Sequence, residues 1–188
     1  MERMSASSPF RQGFTLLQLV IALAILAILT SIAVPGMELL VQASRVQTEA
    51  HRLMTSIVLT RNEAVKRNSP VSMCPSSMAL TGKPVCDGIF ADGWIVFSNR
   101  DRDRVVDAGE DEVIRIFPAL PAGLTITNRK GTIPASETIT YRADGSSGRN
   151  RTFLLCPPSG SKAKSRSIVM NIVGRPRMAS DWGECPAG

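Results

Sequence analysis

With one histidine, one tyrosine and two tryptophans in 188 residues, the chain has little material for several common kinds of site. A metal centre or acid–base relay built on imidazole has only His51, which falls among the charged residues of a helical stretch with no identifiable partner. Tyr141 and Trp182 are too few for a base-stacking platform. The four cysteines, Cys74, Cys86, Cys156 and Cys185, form no C-x-x-C pair, and their spacing argues against zinc. No serine stands in a G-x-S-x-G elbow, and no nucleophile with an adjacent base is evident. Enzymatic activity, a cofactor and a metal are therefore not expected. Helix–turn–helix and zinc-finger spacings are missing too, as is any internal repeat.

Charge is absent from Phe14 to Val34, 21 residues in which only Thr15, Gln18, Thr30 and Ser31 are polar. As a helix this run would be roughly 31 Å long at about 1.5 Å per residue, matching a hydrocarbon core of about 30 Å. The segment before it is mostly polar and carries Glu2, Arg3 and Arg11. Gly13-Phe14-Thr15-Leu16-Leu17-Gln18-Leu19 opens the run and resembles the class III leader of type IV pilins and pseudopilins. That resemblance implies a leader at residues 1–13 and cleavage after Gly13 by a prepilin peptidase. It also implies a methylated amine on Phe14 and a transmembrane and filament-core helix at 14–34. The competing assignment is a secretory signal peptide cut near Ser31-Ile32-Ala33, but its apolar segment would be longer than a signal peptide's usually is.

Pro35-Gly36 follows, a place where a helical hydrogen bond is lost. Beyond it Ala43, Val46, Ala50, Leu53, Ile57 and Ala64 recur mostly at three- and four-residue steps, which predicts one apolar helical face. Arg45, Glu49, Arg52, Arg61, Glu63, Lys66 and Arg67 fall largely on the other sides, and Asn68-Ser69-Pro70 ends the pattern. Short β-rich runs then predict strands at 71–74, 93–97, 113–117, 124–127, 137–142, 152–156 and 167–173. The expected class is α+β, a long N-terminal helix packed on antiparallel sheets, with residues 35–188 forming one exported domain. Of the three connectivities open to four cysteines, Cys74–Cys86 and Cys156–Cys185 are favoured. Each closes a segment rich in Pro, Gly and Ser, in an oxidising compartment.

Several later blocks narrow the resemblance. Asp92-Gly93-Trp94-Ile95-Val96-Phe97, Asp107-Ala108-Gly109-Glu110-Asp111-Glu112-Val113-Ile114-Arg115, Tyr141-Arg142-Ala143-Asp144-Gly145 and Val173-Gly174-Arg175-Pro176-Arg177 look like the FimT/GspH family of minor pilins and pseudopilins. The resemblance implies a single-pass inner-membrane protein with its β domain in the periplasm. Such a subunit joins other major and minor pilins and reaches the cell surface in the fibre, or it serves a type II secretion pseudopilus. Family members usually carry a glutamate four residues after the first mature residue, pairing with a neighbour's amine. Here that position is Gln18, which can accept a hydrogen bond but brings no negative charge. The departure fits a place at or near the filament tip, or a rare subunit that tolerates a weaker assembly contact.

Positive charge is segregated. Residues 129–188 hold ten Lys/Arg against four acids, whereas 87–117 hold four against eight. A positive face on an exported domain attracts polyanions such as double-stranded DNA. Lys162, Lys164 and Arg166, and Arg175 and Arg177 around Pro176, are the expected phosphate contacts, with Gly174 allowing close backbone approach. FimT-type members implicated in DNA uptake during natural transformation are similar in their C-terminal G-R-x-R element. Binding of this kind is phosphate-led and blind to sequence. Asn99, Asp101, Asp103, Asp107 and Glu110 also have the spacing of calcium-loop ligands, but Arg104 stands where the turn needs glycine and Arg100 and Arg102 lie between. An exposed charged hairpin loop is the expected form.

Overall fold

The computed structural model describes residues 15–180 and 182–186, the side chains of 32–35 excepted. Gly13 and Phe14 lie outside the described residues. The chain divides into two units, Met1–Glu38 and Leu39–Gly188. One 52-residue helix, α1 (Leu16–Arg67), supplies all the described secondary structure of the first and opens the second.

In the first unit α1 is apolar on every side. Leu16, Val20, Leu23, Ile25 and Leu29 are all exposed. The few polar atoms are satisfied locally: Thr30 Oγ1 donates to the Leu26 and Ala27 carbonyls at 3.0 Å, and Ser31 Oγ to Ile28 at 2.7 Å. A helix hydrophobic all round with its hydroxyls turned back on its own carbonyls suits lipid or a bundle of like helices.

In the second unit Val46, Ala50, Leu53, Ile57 and Ala64 of α1 are fully buried, as the three- and four-residue steps predict, whereas Ala43 is exposed. Glu49, expected on the outside, is buried too. Arg52 accounts for this: its Nε lies 2.9 Å from Glu49 Oε2, its Nη2 donates to the Pro118 carbonyl at 2.9 Å, and its guanidinium sits 4.7 Å from the Trp94 ring centroid. Burial pushes the Glu49 carboxyl up from its ordinary value, and Arg52 opposes the shift.

Eight strands follow: β1 (Val71–Pro75), β2 (Trp94–Ser98), β3 (Val113–Phe117), β4 (Thr125–Thr127), β5 (Ile139–Tyr141), β6 (Arg151–Cys156), β7 (Arg166–Met170) and β8 (Pro176–Ser180). They form two antiparallel sheets, ordered β3-β2-β1-β5 and β4-β6-β7-β8. A helical turn, α2 (Met78–Thr81), and a 3-10 turn at Phe90–Asp92 have no counterpart in the sequence-based expectation. Neither has β8, and β7 ends at Met170 rather than continuing to Val173. The chain turns instead at Asn171, whose Oδ1 accepts the Arg175 N–H at 3.0 Å. Val71, Met73, Trp94, Val96, Ile139 and Tyr141 from the first sheet and Phe153, Leu155, Ile168 and Met170 from the second join the α1 stripe in one core. Cys74, Ile95 and Phe97, alternating to the opposite face of the first sheet, make a smaller cluster with Met78, Cys86, Val106 and Val113.

Both expected disulfides are present, Cys74–Cys86 and Cys156–Cys185. The second holds residues 182–185 against the outer side of β6. Ser167 Oγ donates to the Trp182 carbonyl at 2.6 Å and the Glu184 N–H to the Arg129 carbonyl at 3.0 Å.

Candidate functional site

The turn between β7 and β8 is positioned from below. Tyr141, fully buried at the end of β5, donates its hydroxyl to the Gly174 carbonyl at 2.9 Å. Burial pushes this phenol up to about 12. Arg61 of α1 donates to the Gly145 carbonyl at 3.1 Å. Gly174 itself has φ +80, and a Cβ there would lie 2.4 Å from the Gly145 oxygen. The glycine therefore serves packing between two chain segments, not the approach of a ligand, and this corrects the sequence-based expectation. It also explains why the Tyr141–Gly145 and Val173–Arg177 blocks occur together: each is the other's contact.

From that turn Arg175 and Arg177 project on a strand edge. Pro176 is the first residue of β8, where a missing N–H costs no sheet hydrogen bond. Met178 reaches toward the core, so Arg177 alternates to the outer face. The two arginines line a cleft of about 410 Å³ together with Arg129, Arg151, Asn128 and Asn150. Over its rim stands Trp182, 39% exposed, with the Arg129 guanidinium 4.2 Å and the Arg177 guanidinium 6.0 Å from its ring centroid. Arg129, Arg151 and the tryptophan are not singled out by the sequence. Arg129 and Arg151 do sit in the basic third, but only the Cys156–Cys185 tail brings Trp182 to them.

Lys162, Lys164 and Arg166 lie elsewhere. Ser161 Oγ bonds Gln42 Oε1 near the start of the second unit, and Arg166 Nη1 bonds Ser180 Oγ at the far end of β8. The Gln42 and Arg61 contacts are separated by about 28 Å of helix. Ser161, beside Lys162, is thus at the Gln42 end of the domain and the Gly174 turn at the Arg61 end, whereas Arg166 is three residues along β7 from Val169, the partner of Arg177; of the five expected contacts, Arg175 and Arg177 line the cleft.

In the acidic loop, Asp101, Asp103 and Asp107 bring carboxylate oxygens within 4.8 Å of one another. The other two members of the calcium-like series do not join them. Asn99 is buried, with Nδ2 donating to Ser72 Oγ at 2.8 Å, and Glu110 stays outside the cluster.

At the N-terminus of α1, the Thr15 N–H donates to Gln18 Oε1 at 3.1 Å and the Gln18 N–H to Thr15 Oγ1 at 3.3 Å. This is a reciprocal capping box, T-x-x-Q. Gln18 thus has a local task besides any contact with a neighbour.

The model of the family described as Type II transport protein GspH matches residues 49–174, and that of the prokaryotic N-terminal methylation motif matches 9–34. The chain belongs to the GspH family. It is a pilin-type subunit, of the minor type IV pilin or type II pseudopilin kind. Its fold is shared with the type IV minor pilin FimU of Pseudomonas aeruginosa at 18% identity and TM-score 0.53, covering 74% of this chain and 95% of that one. It is shared also with the minor pseudopilin EpsH from the Type 2 Secretion System of Vibrio cholerae, at 12% identity and TM-score 0.51, covering 72% and 97%. No curated protein matches the chain by sequence. As a GspH-family member with a helix long and apolar enough to cross a membrane, the chain is built to assemble with other pilins.

Proposed function

We propose that this GspH-family subunit is cut after Gly13, methylated on Phe14 and held in the inner membrane by a single helix at 14–34. Its domain faces the periplasm until pilus assembly carries it to the cell surface. There it acts as a FimT-type minor pilin that captures DNA for natural transformation. The observation that carries this reading is the cleft in which Arg129, Arg151, Arg175 and Arg177 converge, with Trp182 at its rim. Three exposed guanidiniums, those of Arg129, Arg175 and Arg177, present rigid forks suited to phosphate oxygens, and Arg151, largely buried and bonded to the Thr138 carbonyl, adds its charge from the cleft wall. None of the cleft's lining residues reads a base edge by a known motif, so contact is with the backbone and loosens as salt rises. Lys162 and Lys164, at the other end of the domain, add long-range attraction rather than contact.

Arg175→Ala with Arg177→Ala tests the proposal. The full chain in neutral detergent should bind duplex DNA more weakly, and the slope of log affinity against log salt should fall by about 1.8, at about 0.9 per phosphate contact. Cells carrying the double variant should still assemble pili while losing transformation. Retained, salt-insensitive binding would refute it.

A second reading, a priming subunit or type II secretion pseudopilin without DNA affinity, is favoured by membership of the family of type II transport protein GspH. Loss of secretion with unchanged transformation would select it. For either machine we assign Gln18 to assembly at the filament tip. Gln18→Glu keeps the cap and restores a charge; if incorporation and position stay as they were, that role falls.

A further inference from the structure

The basic face continues past Arg151. On its other side a second cleft, of about 240 Å³, is lined by Arg102, Arg104, Arg142, Arg149 and Arg151 and by no carboxylate. Arg102 and Arg104 come from the acidic loop, yet they line a different cleft from Asp101 and Asp107. Both are held at positive φ, +64 and +76, a conformation that side-chain-bearing residues rarely adopt. Arg142 comes from the turn after β5 and Arg149 from the turn into β6. Among the described residues only Glu137 meets one of the five at salt-bridge distance, 3.7 Å from Arg151.

Arg151 forms the boundary between the clefts. Its side chain is 12% exposed and its Nη1 donates to the Thr138 carbonyl at 2.7 Å. Burial pushes its guanidinium below the ordinary value; Glu137 opposes this, and Arg149 and Arg104 add to it, so the cluster is within electrostatic reach. Like charges gathered this way repel unless an anion lies among them. Every cation in both clefts is arginine, although the chain carries lysines elsewhere. Arginine is the residue whose planar fork takes a phosphate through two parallel bonds.

We propose that the second cleft takes the phosphodiester backbone of DNA, extending the track of Arg175 and Arg177 across Arg151 to the Arg102–Arg104 loop. This rests on the DNA-binding reading above. The ligand is a strand of consecutive phosphates rather than a single oxyanion, because the two clefts adjoin and share a wall.

The test uses the full chain in neutral detergent, a labelled DNA duplex and a salt series. Arg102→Gln, Arg104→Gln and Arg149→Gln, all exposed and combined, should lower the salt slope by about 2.7. Between roughly 50 and 200 mM salt the variant should then lose about 40-fold less affinity than the unaltered chain. Arg45→Gln, Lys66→Gln and Lys83→Gln remove the same charge outside both clefts and should leave the slope unchanged. Replacing the three arginines by lysine should keep the slope while weakening affinity, which separates charge from misfolding. An unchanged slope in the glutamine variant, beside a reduced one in Arg175→Ala/Arg177→Ala, would overturn the second cleft alone. No DNA binding by the unaltered chain would remove both. If the glutamine variant binds DNA normally but fails to enter pili, the cleft faces an acidic neighbouring subunit, and the proposal is wrong. Inorganic phosphate at constant ionic strength should not displace DNA; displacement that the glutamine variant abolishes would assign the cleft to small oxyanions instead.

Discussion

Replacing Gly174 by alanine separates packing from ligand approach at the centre of the basic face. The new Cβ would lie 2.4 Å from the Gly145 carbonyl oxygen, 2.6 Å from Tyr141 Cε1 and 3.2 Å from the Ser147 nitrogen. None of these atoms ends a flexible side chain, and the tyrosine ring is fixed by its own bond to Gly174. Holding a residue with a Cβ in the left-handed region costs about 1 kcal/mol, and forced overpacking about 1–3 kcal/mol more. A destabilisation of about 3 kcal/mol lowers Tm by roughly 6–12 °C in a domain of about 150 residues. Thermal unfolding of the full chain in neutral detergent, followed through the buried Trp94, measures it. Gly148→Ala is the control: φ is +72 but a Cβ there meets nothing within 4 Å, so only the cost of about 1 kcal/mol remains. A Gly174→Ala protein with unaltered Tm and lost DNA affinity would refute the packing argument and restore close ligand approach as the glycine's purpose.

Three other perturbations follow from the same structure. Tyr141→Phe should cost about 1 kcal/mol through the lost bond to Gly174. With the folded phenol pushed up to about 12 and the unfolded one near 10, the unaltered chain's stability should also fall as pH rises from about 10 toward 12, by a few kcal/mol (about 3 at most). Denaturant unfolding across that window should show the fall in the unaltered chain and not in Tyr141→Phe. Arg52→Ala leaves Glu49 buried without its partner and should destabilise by about 3 kcal/mol at neutral pH. Glu49 is already raised by burial, so its protonation should shrink the deficit as pH falls toward the unfolded value of about 4.3; a deficit that widens in acid contradicts the assignment. Cys156→Ser with Cys185→Ser opens a 29-residue loop and should cost about 3.5 kcal/mol on the loop-entropy estimate. It should also make Trp182 more accessible to acrylamide and weaken DNA binding; unchanged quenching would mean that the tail holds without its bridge.

The fold was legible where local pattern and tertiary demand agree. The α1 stripe from Val46 to Ala64 is a buried face because its spacing follows the helical repeat, and β3 spans the same residues in sequence and structure. β8 was not legible because Pro176-Arg177-Met178-Ala179-Ser180 has little strand propensity; it exists as an edge paired with β7. Glu49 looked like a solvent residue because its cover, Arg52 lying on Trp94, joins segments distant in the chain. The basic third showed that cations are abundant but not how they partition. Lys162 and Arg175 are close in sequence yet at opposite ends of the domain, while Arg129, Arg151 and Arg177 meet through sheet register and a disulfide-held tail. Arg102 and Arg104 were hidden in a loop whose average charge is negative.

We propose above all that this chain enters a fibre by keeping its apolar helix. Intact-mass measurement on filaments sheared from cells tests it most directly. The expected product begins at Phe14, carries one methyl group and lacks the four hydrogens given up in its two disulfides. A product beginning near Val34 in the culture medium, with none in the filaments, would contradict it.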